Sequence, residues 1–118
     1  MSKEHLTFDK RPWGNWKIID TGIGYQVKKI TVLSKKRLSL QSHKCRKEHW
    51  VVVLGEAEVE IDSKVTKLIK GESIDIPLGS IHRLTNNKEI NLIIIEIQFG
   101  DYLGEDDIIR YEDDFGRV

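Results

Sequence analysis

The amino-acid sequence predicts an all-β fold, a sandwich or a barrel. Two observations carry that expectation. Apolar residues alternate with polar ones over short stretches, and turn residues recur every ten positions or so. Roughly nine short strands separated by such turns suit an antiparallel sandwich or barrel. At 118 residues the chain reads as one domain, 1–118, long enough to bury a continuous core without staples.

The strands are read in order. Trp16–Ile19 and Tyr25–Val32 flank Gly22-Ile23-Gly24; in the second, Tyr25 and Val27 followed by Ile30 and Val32 suggest a strand with one register slip. Leu38 and Leu40 alternate with Ser39 and Gln41, and Trp50–Leu54 is a continuous, largely β-branched run. Gly55-Glu56 reads as a tight hairpin turn, because Ala57, Val59 and Ile61 then alternate with Glu58, Glu60 and Asp62. Asp62-Ser63 turns into Val65–Ile69, and Lys70-Gly71-Glu72 turns into Ile74 and Ile76. Pro77-Leu78-Gly79 is a loop before the short Ile81–Leu84, and Asn86-Asn87-Lys88 turns into Ile90–Phe99. The tail differs. Across Tyr102–Tyr111, Glu105-Asp106-Asp107 precede Arg110, an order that complements the dipole of a short helix.

Nineteen basic residues balance nineteen acidic ones, so charge gives no case for nucleic acid or an anionic membrane as partner. No apolar run reaches membrane-spanning length, and the polar, mixed-charge Met1–Lys10 is unlike a signal peptide. Cys45 is the single cysteine, which excludes an intrachain disulfide and suits a reducing, cytoplasmic address.

Chemistry concentrates on histidines at strand ends. Gln41 and His43 share one strand face, opposite Leu38 and Leu40, and Glu48 shares a face with Trp50 and Val52. A barrel interior receiving both His43 and Glu48 would be destabilised if they were unpaired. A divalent metal resolves this, since imidazole, carboxylate and amide oxygen are all acceptable ligands. His82 follows the Pro77–Gly79 loop and enters the next strand with its ring available to the same cavity.

These residues sit at telling separations. Lys35, Gln41-x-His43, Glu48 and Gly55 resemble the first cupin motif, at 35–55, and Gly71, Pro77-Leu78-Gly79, His82 and Asn86 match the second, at 71–86. Further strings resemble the type II mannose-6-phosphate isomerases: Leu38-Ser39-Leu40-Gln41-Ser42-His43, Arg46-Lys47-Glu48-His49-Trp50, Arg11-Pro12-Trp13-Gly14, Tyr25-Gln26-Val27-Lys28 and Ile95 to Ile108, completed by Arg110 and Asp114-Phe115-Gly116-Arg117. The resemblance implies a cupin jelly-roll β-barrel holding one divalent metal (Zn, Mn, Co or Ni) on Gln41, His43, Glu48 and His82. It also implies interconversion of mannose 6-phosphate and fructose 6-phosphate, serving GDP-mannose and polysaccharide biosynthesis. In that family the module is commonly the C-terminal half of a longer enzyme whose other half is a guanylyltransferase, so a non-catalytic metal- or phosphosugar-binding subunit acting beside a separate guanylyltransferase is the alternative.

The resemblance marks Glu48, His49 and Glu96 as catalytic candidates and Arg11, Arg110 and Arg117 as substrate-binding. His49 has a pKa suited to proton exchange, and Glu96 would acquire one if burial raised it. The arginines suit a phosphate dianion through bidentate forks, with Arg110 and Arg117 folding over the mouth. Each candidate has a plainer reading: Gln41 holding only a water, Glu48 in a salt bridge, Arg46 as surface charge, Glu105 to Asp107 as a helix first turn. By strict alternation His49 faces away from Glu48 unless a bulge returns it, and Glu96 points inward only if Gln98 does too. Lys35 stands where the first motif has glycine, and Cys45 where relatives often carry histidine. By analogy with small cupins the chain is expected to form a homodimer, with Arg11–Ile19 laid on the partner's sheet.

Overall fold

Alternation of inward and outward side chains folds the chain into two antiparallel sheets facing each other across a common interior. The structure is a computed structural model and describes residues 7–118; of the polar opening segment Met1–Lys10, residues 1–6 lie outside it. Among the described residues there are eleven strands and no helix: β1 (Phe8–Arg11), β2 (Gly14–Gly22), β3 (Tyr25–Val32), β4 (Leu40–Ser42), β5 (Arg46–Leu54), β6 (Ala57–Ile61), β7 (Lys64–Leu68), β8 (Ser73–Ile76), β9 (His82–Thr85), β10 (Leu92–Gly100) and β11 (Ile109–Glu112). One sheet has the order β1-β2-β3-β10-β5-β8, the other β11-β4-β9-β6-β7.

Register decides what lines the interior. In the larger sheet, Trp16, Ile30, Ile94 and Val52 form one inward row across β2, β3, β10 and β5. The next row is Lys28, Glu96 and Trp50, and the next Gln26, Gln98 and Glu48. Apolar residues thus fill one end of the barrel and polar residues the other. Ile94, Val52, Val32, Val59 and Leu84 are fully buried in the apolar part, where each side chain contributes roughly 1.5–3 kcal/mol relative to exposure. That floor offsets the cost of the charged rows above it. In the smaller sheet, Arg110, Gln41, His82 and Ile61 form a row across β11, β4, β9 and β6.

Several turns carry the expected residues for visible reasons. Asp62 and Ser63 both have positive φ, 47° and 74°, the conformation a two-residue hairpin between Ile61 and Lys64 demands. Gly14 is required by space: a Cβ there would lie 1.9 Å from the Thr31 carbonyl oxygen. Lys35, at the glycine position of the first motif, has φ 62°, so the backbone keeps the glycine conformation without the glycine. Asn86, closing the second motif, is buried and structural; its amide donates to the carbonyls of Val32, Leu33 and Ile90 at 2.9–3.1 Å.

Two expectations change. There is no register slip in β3: Lys28, Ile30 and Val32 share the inward face, and the irregularity lies in β2 between Ile18 and Asp20. The tail forms no helix; Tyr102–Ile108 is an extended, turned segment, and Ile109–Glu112 pairs with β4. Glu105 and Asp107 are satisfied by groups far away in sequence rather than by a helix N-terminus, as described below. Within the chain, Arg11–Ile19 is hydrogen-bonded into the larger sheet, with β2 between β1 and β3.

Candidate metal centre

His43, Glu48 and His82 meet inside the barrel, with one potential ligand atom from each lying within 4.8 Å of the others. All three are buried. His43 follows β4, Glu48 lies on β5 and His82 opens β9, so the cluster bridges the two sheets. The loop of the second motif is tied to the first motif by the Gly79 amide, which donates to the His43 carbonyl at 3.1 Å.

Both imidazoles are oriented by the main chain. His43 Nδ1 lies 2.7 Å from the Asp107 carbonyl oxygen, and His82 Nδ1 lies 3.0 Å from that of Ser80. A carbonyl oxygen only accepts, so each Nδ1 carries the proton and each Nε2 is left with its lone pair toward the cavity. Burial, reinforced by the Arg46 charge, lowers the His43 pKa to about 4. Burial also lowers that of His82. Both rings are therefore neutral at neutral pH, the state a metal ligand requires.

Gln41 donates through Nε2 to the Ser39 carbonyl at 3.3 Å and the Ser39 hydroxyl at 3.1 Å, which leaves Oε1 as its free acceptor in the cavity. Neutral nitrogen, carboxylate and amide oxygen together form a donor set that fits a borderline divalent cation. Arg46, read from the sequence as surface charge, is buried in the same cluster. Its Nε donates to Glu48 Oε2 at 2.7 Å, and its Nη2 is 3.3 Å from His43 Nε2. Burial works against its charge, but Glu48 and Glu96 outweigh that and raise the guanidinium pKa. His43 and Glu48 would hold an ion through the same atoms that Arg46 now contacts, so its binding would displace Arg46.

Glu96 faces inward, and Gln98 with it. Trp50 Nε1 donates to both Glu48 and Glu96, at 2.9 and 3.2 Å, and Gln98 Nε2 donates to Glu96 at 3.1 Å. Burial first, then the adjacent Glu48, raises the Glu96 pKa to about 8.

Arg11, Arg110 and Arg117 line the same cavity nearer its opening. Arg117 is held in a fork by Asp113, at 2.6 and 3.0 Å, and that hydrogen bonding holds the Asp113 carboxyl at about 2. Among the described residues Arg110 has no such partner and its Nε is buried without a hydrogen bond; burial, Arg117 and Arg11 together lower its pKa.

His49 is outside the cavity. It lies on the outward face of β5 with Nδ1 2.6 Å from Asp75 Oδ1, and its pairing with Asp75 and Ile97 continues the regular register of the strand. The bulge that would have returned it inward occurs instead at Ile93/Ile94, opposite the far end of β5. Sequence reasoning also missed Lys28, Arg46 and Asp107 as parts of the site. Lys28 was legible in its two-residue phase with Ile30 and Val32. Asp107 was not, because its partners are the Lys44 and Cys45 amides, both at 2.9 Å.

Two facing antiparallel sheets with a His/Glu/His cluster between them define the chain as a cupin. The cupin domain of Schizosaccharomyces pombe Cnp3 superposes with a TM-score of 0.70 at 9% identity, covering 82% of this chain and 67% of that one. The chain belongs to the family described as mannose-6-phosphate isomerase C-terminal, whose model matches residues 2–113. It is 53% identical over 108 residues to the alginate biosynthesis protein AlgA of Pseudomonas aeruginosa and, over the same length, to the mannose-1-phosphate guanylyltransferase ManC of Salmonella typhimurium. Each match covers 92% of this chain and 22% of the relative, so the chain spans about a fifth of the length of these proteins. No helix among the described residues is long and apolar enough to cross a membrane.

Proposed function

We propose that the chain is a metal-dependent aldose–ketose isomerase interconverting mannose 6-phosphate and fructose 6-phosphate, a step that feeds GDP-mannose and polysaccharide synthesis. One observation carries the ligand class. Among the described residues, the buried side-chain nitrogens without a hydrogen-bond partner are Arg11 Nε, Trp16 Nε1, Arg46 Nη1 and Arg110 Nε, and all four belong to residues lining this one cavity. Unpaired buried donors are costly, so four around one space call for a ligand rich in acceptor oxygens. A phosphorylated sugar has that character, and the cationic mouth suits its phosphate.

The residues present suit proton transfer. Glu96, with its pKa near 8, populates both forms around neutrality. It can take the proton from C2 of the open-chain aldose and return it to C1 of the enediol, while the hydroxyl proton of O2 passes to O1. Trp50 and Gln98 hold it in position throughout. A divalent ion on Gln41, His43, Glu48 and His82 would supply positive charge beside the oxygens where negative charge develops. Arg110 and Arg11 orient the phosphate, and the buried aromatic walls of Trp13, Trp16 and Trp50 limit water.

The second reading is a phosphosugar-binding subunit without turnover, acting beside a separate guanylyltransferase. It is favoured by Cys45, which stands where the family resemblance implies a histidine. A coupled assay of mannose 6-phosphate turnover with Mn, Co or Zn separates the two. Turnover carries the isomerase; phosphosugar binding without turnover in any of the three metals removes it. A homodimer and a cytoplasmic setting complete the proposal, tested by sedimentation and by fractionation.

A further inference from the structure

Lys28 is 2% exposed and points into the cavity from β3, in register beside Glu96. Its Nζ sits 4.1 Å from the centre of the Trp16 ring and pairs with Glu105 Oε2. The second oxygen of that carboxylate, Oε1, lies 3.8 Å from Arg11 Nη2. One carboxylate at the rim is therefore shared by two cations that belong to the cavity wall. The asymmetry is pronounced: the Glu105 side chain is 37% exposed and the Lys28 side chain 3%. Glu105 also lies outside any strand, in the segment between β10 and β11, whose firm anchor is Asp107 two residues on.

A buried ammonium needs an anion, and a carboxylate and a phosphate present it with similar acceptor oxygens. We propose that Glu105 is an internal occupant of an anion cradle formed by Lys28 and Arg11, and that a ligand phosphate enters by displacing the Glu105 carboxylate from Lys28. The proposal rests on the phosphosugar reading for the identity of the ligand, and on the geometry for the exchange. Glu105 is the partner free to leave, because outside the cavity its charge is solvated. Lys28 cannot follow it: its chain is fixed in the middle of a sheet, and its head is held over Trp16. The ligand then keeps Lys28 paired while gaining Arg11 and the unpaired Arg110. While Glu105 stays in place, it holds the mouth against weaker anions.

The test is calorimetric titration of the full chain with inorganic phosphate, comparing wild type, Glu105→Gln, and Glu105→Gln combined with Lys28→Met. Glu105→Gln removes the competing charge at an exposed rim position and should bind phosphate on the order of tenfold more tightly. Adding Lys28→Met should abolish that gain. Equal, weaker or undetectable phosphate binding by Glu105→Gln overturns the proposal, as does a gain that survives loss of Lys28. Glu105→Gln decides the matter by itself if the Lys28 variant does not fold. Assaying the same proteins for mannose 6-phosphate turnover keeps the two readings apart. Turnover with unchanged phosphate affinity removes the cradle and leaves the isomerase; tighter phosphate binding without turnover does the reverse.

Discussion

The Asp107 carbonyl accepts the Nδ1–H of His43 at 2.7 Å, while the Asp107 carboxylate accepts the amides of Lys44 and Cys45 at 2.9 Å. One tail residue thereby fixes both the ring and the main chain beyond it. Burial works against the charge of that carboxylate, but the two amides hold its pKa below the usual range. Asp107→Ala should loosen the carbonyl that orients His43 and weaken divalent-ion affinity about 10–100-fold, the range for groups that orient metal ligands. Calorimetric titration with Co or Zn measures it; wild-type affinity would show that His43 is oriented without the tail.

Arg46 and Glu48 form a buried ion pair. Arg46→Met leaves the Glu48 carboxylate buried without its cation, which should cost about 3–5 kcal/mol. A divalent ion supplies a replacement charge, so the variant should recover more stability on metal addition than wild type does. Thermal melts with and without Mn or Zn check this; equal metal-induced shifts in the two proteins would count against a metal at Glu48.

The metal-free protein should be most stable near pH 6.5. His43 titrates at about 4 when folded against 6.5 when unfolded, so between those values the unfolded state binds more protons and stability rises with pH. His82 shifts in the same direction. Glu96 acts oppositely: folded at about 8 against 4.5 unfolded, it binds its proton more tightly in the native state, and stability falls as pH rises through that window. Below 6.5 the two histidines oppose Glu96; from 6.5 to about 8 Glu96 acts alone. Melting temperature in chelator should therefore decline from pH 6.5 to 8, and Glu96→Gln should flatten that limb. A decline persisting in the variant would assign it elsewhere.

Arg110 should matter more to substrate than Arg117, because Arg117 is already neutralised by Asp113 whereas Arg110 has an unpaired nitrogen in the cavity. Arg110→Ala should raise the KM for mannose 6-phosphate about 10–100-fold, the loss of a charge-assisted hydrogen bond, with metal content unchanged. Arg117→Ala should do less. Steady-state kinetics beside elemental analysis decides, and the reverse ranking would put the phosphate on Arg117.

His49→Ala should leave metal content intact and turnover within about twofold, with stability within roughly 0.5 kcal/mol, as expected of a surface pair. A large fall in kcat alone would return His49 to the mechanism, through a neighbouring subunit or a rearranged β5.

The sequence by itself determined the all-β architecture and most strand positions, and it singled out His43, Glu48 and His82, which the fold brings together as a cluster that could hold a metal. These rest on local rules: alternation places Gln41 with His43 and Glu48 with Trp50, and glycine, proline, an Asp-Ser pair or Asn86-Asn87 marks the turns. Alternation tied Glu96 to Gln98 but left open which way the two point; the pairing of β10 with β3 and β5 turns them inward. Tertiary structure alone decided the rest. Acidic residues in a row read equally well as a helix start or as separate partners for distant groups, and only the closed barrel brings Lys28 and Arg11 to Glu105 and the Lys44 and Cys45 amides to Asp107. His49 follows the same logic in reverse. Its side of β5 was set by alternation, and whether a bulge overrode it depended on the pairing with β10 and β8, which hold the strand in regular register there. Side-chain direction along one strand is a local property; which charges meet across the barrel depends on the pairing of strands far apart in the chain.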